Sequence, residues 1–175
     1  ETYVHRYTQK EQITIKIDVQ GGTSYPVHSS TIYDYDDRLH VIEFAPNAGY
    51  VLDTARIKRG DISGAGTWEN IVWDEIYSNG KTKYSHDHTV NQHIQVVYAK
   101  DSNGDDIADY KQVFIHFDSA ANGSVSGAVD QIYDKASFAS GFLTPAAVDK
   151  SASTGYVFSH WKDRDGNKIA DPIGN

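Results

Sequence analysis

The run Lys100-Asp101-Ser102-Asn103-Gly104-Asp105-Asp106-Ile107-Ala108-Asp109 places oxygen-bearing side chains at alternate positions. Asp101, Asn103, Asp105 and Asp109 match positions 1, 3, 5 and 9 of a calcium loop, and the Ile107 carbonyl matches position 7. Calcium is a hard cation that takes about six to eight oxygens, and this spacing can supply several of them. Two positions depart from the pattern. Asp106 stands where such loops place glycine, and Gln112 stands where they place a bidentate glutamate. The preferred reading is a solvated acidic linker, with a calcium site as the alternative.

His86-Asp87-His88, with His93 nearby, is a second set. On a strand His86 and His88 point to one face, a spacing that can chelate zinc or nickel. His93 has the opposite parity and would need an intervening turn. The plainer reading is a polar segment leading into a strand. Aromatic side chains form a third set. Trp68, Trp73, Tyr77 and Tyr84 fall on one expected hairpin, and Tyr33 and Tyr35 flank Asp34, Asp36 and Asp37. Sugars stack on exposed rings and give their hydroxyl protons to carboxylates, so Tyr35, Trp68, Trp73 and Tyr77 are candidate ligand-binding residues. The competing reading puts Trp73 and Trp161 in small cores. Glu43, Glu69, Asp74 and Glu75 could supply the carboxylate pair of a glycoside hydrolase, but sequence does not set their separation. No G-x-S-x-G elbow, phosphate loop or dinucleotide fingerprint occurs, so the expected chain is not an enzyme.

Composition narrows the choices. The 175 residues suffice for one mid-sized domain or two small ones. With Lys+Arg 16 and Asp+Glu 24 the formal charge is −8, a poor balance for a nucleic-acid binder. The absence of Cys excludes disulfides, thiolate zinc sites and cysteine nucleophiles. No apolar run is long enough to span a bilayer, so no direct membrane insertion is expected. The absence of Met predicts a processed product or a piece of something longer.

The elements that must carry these groups read as strands. Ile13, Ile15 and Ile17 alternate with polar residues, and Ile94, Val96 and Tyr98 do the same. Leu39–Phe44, Thr67–Tyr77, Gln112–Asp118 and Tyr156–Trp161 are further strand candidates. Asn79-Gly80 and Asn122-Gly123 are turn signals. Helix signals are sparse. Val129, Ile132, Tyr133 and Ala136 fit a helical period over 128–138, and Thr144-Pro145 suits the start of a short turn. The expected fold class is mainly β, a β-rich α+β chain of two tandem modules. They cover 10–100 and 111–175, with an acidic linker over 101–110.

Gly21-Gly22-Thr23, then Ile42-Glu43-Phe44-Ala45-Pro46-Asn47-Ala48-Gly49-Tyr50, then Asp87-His88-Thr89-Val90, resemble the divergent internalin-B-type repeats of bacterial surface proteins. Residues 112–168 resemble the related Listeria–Bacteroides repeat. Phe117, Asn122-Gly123, Pro145, Gly155-Tyr156-Val157-Phe158-Ser159-His160-Trp161 and the Asp163–Gly166 turn carry that likeness. His160 departs from it, standing where the family usually has Gly, and a closing strand of the second module is expected to be missing. The resemblance implies small β-rich domains, often β-grasp-like, in secreted or envelope-anchored proteins. Their role there is as stalk, adhesin or binding module. The expected partners are other modules of the same protein, and a glycan or host protein in the ligand-binding alternative.

Overall fold

A computed structural model describes residues 11–26, 29–138 and 143–169. The chain is mainly β and divides between Asp109 and Tyr110 into two units. Among the described residues no helix is long and apolar enough to cross a membrane.

The first unit contains β1 (Gln12–Gln20), β2 (Gly22–Tyr25), β3 (Ser30–Asp34), β4 (Asp36–Pro46) and β5 (Tyr50–Arg59). It continues with β6 (Glu69–Asn70), β7 (Glu75–Ile76), β8 (Thr82–His88) and β9 (Gln92–Lys100). One sheet has the order β3-β1-β9-β5-β6 and the other β2-β4-β8-β7. Strands β1 and β9 pair in parallel, with Ile15 opposite Gln92 and Gln20 opposite Val97; the remaining pairs are antiparallel.

Alternation decides which faces meet. Ile13, Ile15 and Ile17 of β1, Ile57 of β5, and Ile94, Val96 and Tyr98 of β9 point inward from the first sheet. Ile42 and Phe44 of β4 and Tyr84 of β8 meet them from the second. Ile15, Ile42, Ile57 and Ile94 are fully buried, each contributing about 2 kcal/mol of transfer free energy. Gly21-Gly22 has a steric reason. A Cβ at Gly22 would overlap the Tyr98 ring, and Gly21 has φ 70°, where only glycine is unstrained.

The segment read as one strand over Thr67–Tyr77 is broken. Glu69–Asn70 pairs with β5 in the first sheet, and Glu75–Ile76 pairs with β8 in the second. Between them Ile71 and Trp73 turn inward onto the core. A single straight strand cannot pair with both sheets, so the chain leaves β geometry to cross from one to the other. The Asn79-Gly80 turn then closes β7 onto β8, with Gly80 at φ 76°.

In the second unit β10 (Gln112–His116) pairs with β12 (Asp130–Asp134), and β11 (Gly123–Gly127) pairs with β13 (Val148–Ala152). Strands β14 (Trp161–Lys162) and β15 (Lys168–Ile169) form a small hairpin. The helix expected over 128–138 is instead β12 followed by a 3-10 turn at Lys135–Phe138. Buried Gln131 explains the difference. Its amide nitrogen donates to the Ala128 and Ala146 carbonyls, and its oxygen accepts from the Ala146 N–H. These bonds tie the segment to a neighbouring chain section, which a helix turning away from it would forfeit. The helical turn expected after Pro145 is absent, and the chain there leads directly into β13. The strand expected over Tyr156–Trp161 shrinks to β14, because 156–160 has no ladder partner. The expectation of a missing closing strand falls on 170–175, outside the described residues.

Candidate functional site

The acidic run belongs to the first unit and closes it. Asp101 is buried at the end of β9, where its N–H donates to the Gly49 carbonyl at 2.8 Å. Its side chain is the hub of the loop. Oδ1 accepts the N–H groups of Gly104 at 2.8 Å and Asp105 at 3.3 Å, and Oδ2 accepts that of Asp106 at 3.0 Å. Asp109 closes the far side, accepting the Ser102 N–H at 2.8 Å and its hydroxyl at 2.7 Å. Those donors hold the Asp109 carboxyl below the ordinary carboxylate range. Asp105 accepts the Ile107 N–H at 3.0 Å and the Asn103 amide at 2.9 Å.

The loop thus spends its carboxylates on its own donors. Bonds from neutral N–H groups to an ionised acceptor are the stronger kind, so the acidic composition does structural work. A carboxylate offers about four acceptor sites, so accepting backbone N–H groups does not by itself bar it from a cation. The sixth position also behaves as a calcium loop requires, since Asp106 takes φ 64°, the left-handed turn that glycine usually supplies.

The four candidate ligand-binding aromatics are dispersed. Trp73 packs edge-on against Phe44, ring centroids 5.7 Å apart, and belongs to the core. Trp68 lies over the outer face of the first sheet, with the Arg56 guanidinium 4.5 Å and the Lys58 ammonium 4.9 Å from its ring centroid. Beneath this cover Lys58 is buried and donates to the Ser63 carbonyl at 2.8 Å. Tyr77 stands at the edge of the second sheet, donating its hydroxyl to Glu75 at 2.6 Å. Tyr35 is half exposed between β3 and β4. The carboxylates considered for hydrolysis are paired with donors: Glu75 with Lys83 at 3.3 Å, Glu69 with Arg59 at 3.0 Å, and Asp74 with the Ser85 N–H.

The histidines separate by sheet. His93 is on the outer face of β9, 2.7 Å from Asp18 and against Trp68. His86 and His88 share the inner face of β8, as their parity requires, and both are buried. Burial, with His88 and His40 beside it, pushes the His86 imidazole down to about 4, so it is neutral at physiological pH. Strand β4 adds His40, which the sequence reading passed over, and Asp36, which that reading had grouped with the tyrosines and not with the histidines. His40 pairs with His86 and Asp36 with His88 across the ladder, around a bulge in β4. Among the described residues, Asp36, His40 and His88 are the group of metal-ligating side chains whose ligand atoms all lie within 4.8 Å of one another. The signal that could have exposed them is inward parity on two strands known to pair.

The second unit has a cleft of about 410 Å³ between its turn at 118–123 and residues 157–162. Phe158 and Trp161 line it, with the Lys150 ammonium 4.1 Å from the Phe158 ring centroid. Trp161 also meets buried Phe117 edge-on at 5.3 Å, the small core that the sequence assigned to it. No family model matches the chain, and neither the curated proteins nor the solved structures contain a match to it.

Proposed function

We propose that this chain is a non-catalytic extracellular repeat or stalk segment of a bacterial surface protein, whose partners are other modules of the same protein. The observation that carries the reading is the Asp101 hub. It fastens the exit of the first unit to the body of that unit, through its N–H on Gly49 and its carboxylate on three loop amides. A module that serves as a spacer needs an exit that holds its direction, and a self-braced loop supplies one. The division into two small β units and the internalin-B-type residue pattern support the same reading.

Calcium is the second element of the proposal, favoured by the left-handed Asp106 at position six. A bound cation would screen clustered carboxylates and stiffen the exit further. Thermal melting of the chain with calcium and with a chelator tests it. A calcium-dependent rise in melting temperature that disappears in Asp105→Ala supports the loaded loop. Identical melts in both conditions leave the loop as a brace that works alone.

A further inference from the structure

The inner face of the second sheet changes character along its length. On β4 the inward residues run Phe44, Ile42, His40, and on β8 they run Thr82, Tyr84, His86, His88. Hydrocarbon therefore gives way to imidazole at one end, on two strands at once. The ladder enforces the grouping. His40 is the cross-strand partner of His86 and Asp36 that of His88, and the bulge between Asp36 and His40 takes up the extra β4 residues. The His40 and His88 rings lie 4.0 Å apart and within 5° of parallel, and the His86 ring is 5.2 Å from His88. Tyr33 of the opposite sheet stacks on His88 at 4.0 Å, so the group sits between the sheets.

Packing alone gives little reason for this set. Three imidazoles and a carboxylate occupy positions that isoleucine, phenylalanine and tyrosine fill elsewhere on the same face. Among the described residues, the buried His86 Nδ1 has no hydrogen-bond partner. A buried polar atom without a partner costs about 1–3 kcal/mol. Neutral imidazoles with one carboxylate are instead the donor set of zinc and its first-row neighbours.

We propose that Asp36, His40 and His88 form a binding site for a zinc-type transition-metal ion, with His86 as the adjacent fourth donor. Asp36 is held in place. The Arg38 guanidinium Nε and the Arg38 backbone N–H each reach its Oδ1 at 3.0 Å. Oδ2 accepts from Arg38 Nη2 at 2.9 Å and faces the His40 Nε2 at 3.3 Å, so a bound ion would share this oxygen with the guanidinium. A ligating carboxylate fixed by an outer hydrogen bond is the usual arrangement. His40 is the movable part, its side chain 38% exposed. Stacked parallel rings aim their lone pairs side by side, so coordination requires His40 to turn about its χ2 until both nitrogens face one point. Bound there, the ion would tie β4 to β8 at the end of the sandwich where hydrocarbon packing stops. The site is separate from the 101–109 loop, and its role does not depend on the proposed stalk function.

Isothermal titration of the full chain with zinc, with cobalt absorption as a second readout, tests the site. The expected result is one ion per chain, tetrahedral cobalt bands that zinc displaces, and affinity reduced by at least about tenfold in His40→Ala and in Asp36→Asn. His93→Ala should leave binding unchanged. Both Asp36 and His40 reach solvent, so circular dichroism should show these variants folded; His88→Gln serves as a further variant. Absence of zinc binding, or binding undiminished in folded His40→Ala and Asp36→Asn, would overturn the proposal.

Discussion

The Asp101 Oδ2 lies 3.0 Å from the backbone nitrogen of Asp106, five residues further along, and this bond spans the loop that closes the first unit. The same carboxylate holds Gly104 and Asp105, so one buried side chain organises the whole turn. Asp101→Ala is expected to destabilise the first unit by about 2 kcal/mol, since the freed amides can still reach water while the packed side chain is lost. Asp101→Asn should cost less, because its amide oxygen retains part of the acceptor set. Urea denaturation of both variants reads the difference. Equal stabilities for wild type and Asp101→Ala would show that the hub is dispensable.

The two tryptophans of the 67–77 segment should separate sharply. Trp73 packs on Phe44 in the core, and Trp73→Ala is expected to cost about 3 kcal/mol. Trp68 shields Arg56 and Lys58 on the outer face, and Trp68→Ala should cost about 1 kcal/mol. Chemical denaturation orders them. A larger loss at Trp68 would contradict the assignment of Trp73 to the core.

Gly22 is a steric requirement. Gly22→Ala forces a methyl group into the Tyr98 ring and the Ala45 carbonyl, where backbone cannot yield. A loss of about 2 kcal/mol or more is expected, within the range of overpacked interiors. Gly64→Ala is the matched control, since a Cβ there meets nothing within 4 Å. Similar melting temperatures for the two variants would show that the turn is looser than its geometry.

His116 and Asp130 face each other across β10 and β12 at 2.6 Å, and the carboxylate raises the His116 pKa above 6.5. The sign follows from linkage. Protonated His116 gains its partner only in the folded chain. The contribution is therefore fully present below about pH 6.5 and is lost as pH rises through the higher folded value. Both groups are exposed, so added salt should weaken the effect. An NMR titration of the His116 ring is expected to show a raised midpoint that Asp130→Asn returns toward 6.5. A midpoint indifferent to that substitution would dissolve the pair.

The fold was most legible where one periodicity had no rival. Ile13, Ile15, Ile17 and Ile94, Val96, Tyr98 announce inward faces, and both strands lie at the centre of the first sheet. Legibility failed where two patterns coincided. Val129, Ile132, Tyr133 and Ala136 satisfy a helical period, yet Gln131 between them carries the bonds that hold the strand. In 67–77 the side chains alternate plausibly, but only the presence of two sheets tells the backbone to break. The Asp36–His40–His88 grouping was beyond reach for a related reason. Strands β4 and β8 are separated by three other strands in the chain, and nothing local says that they are neighbours or that a bulge brings Asp36 level with His88.

The parallel pairing of β1 with β9 joins the opening and closing strands of the first unit in mid-sheet. A pull entering before Gln12 and leaving after Lys100 would drag these neighbours past each other lengthwise. Six registered positions, from Ile15–Gln92 to Gln20–Val97, would then carry the load together instead of parting one after another. Single-molecule stretching between these two points should give a high rupture force. Pulling across the β7–β8 hairpin, whose bonds open singly like a zip, should give a lower one.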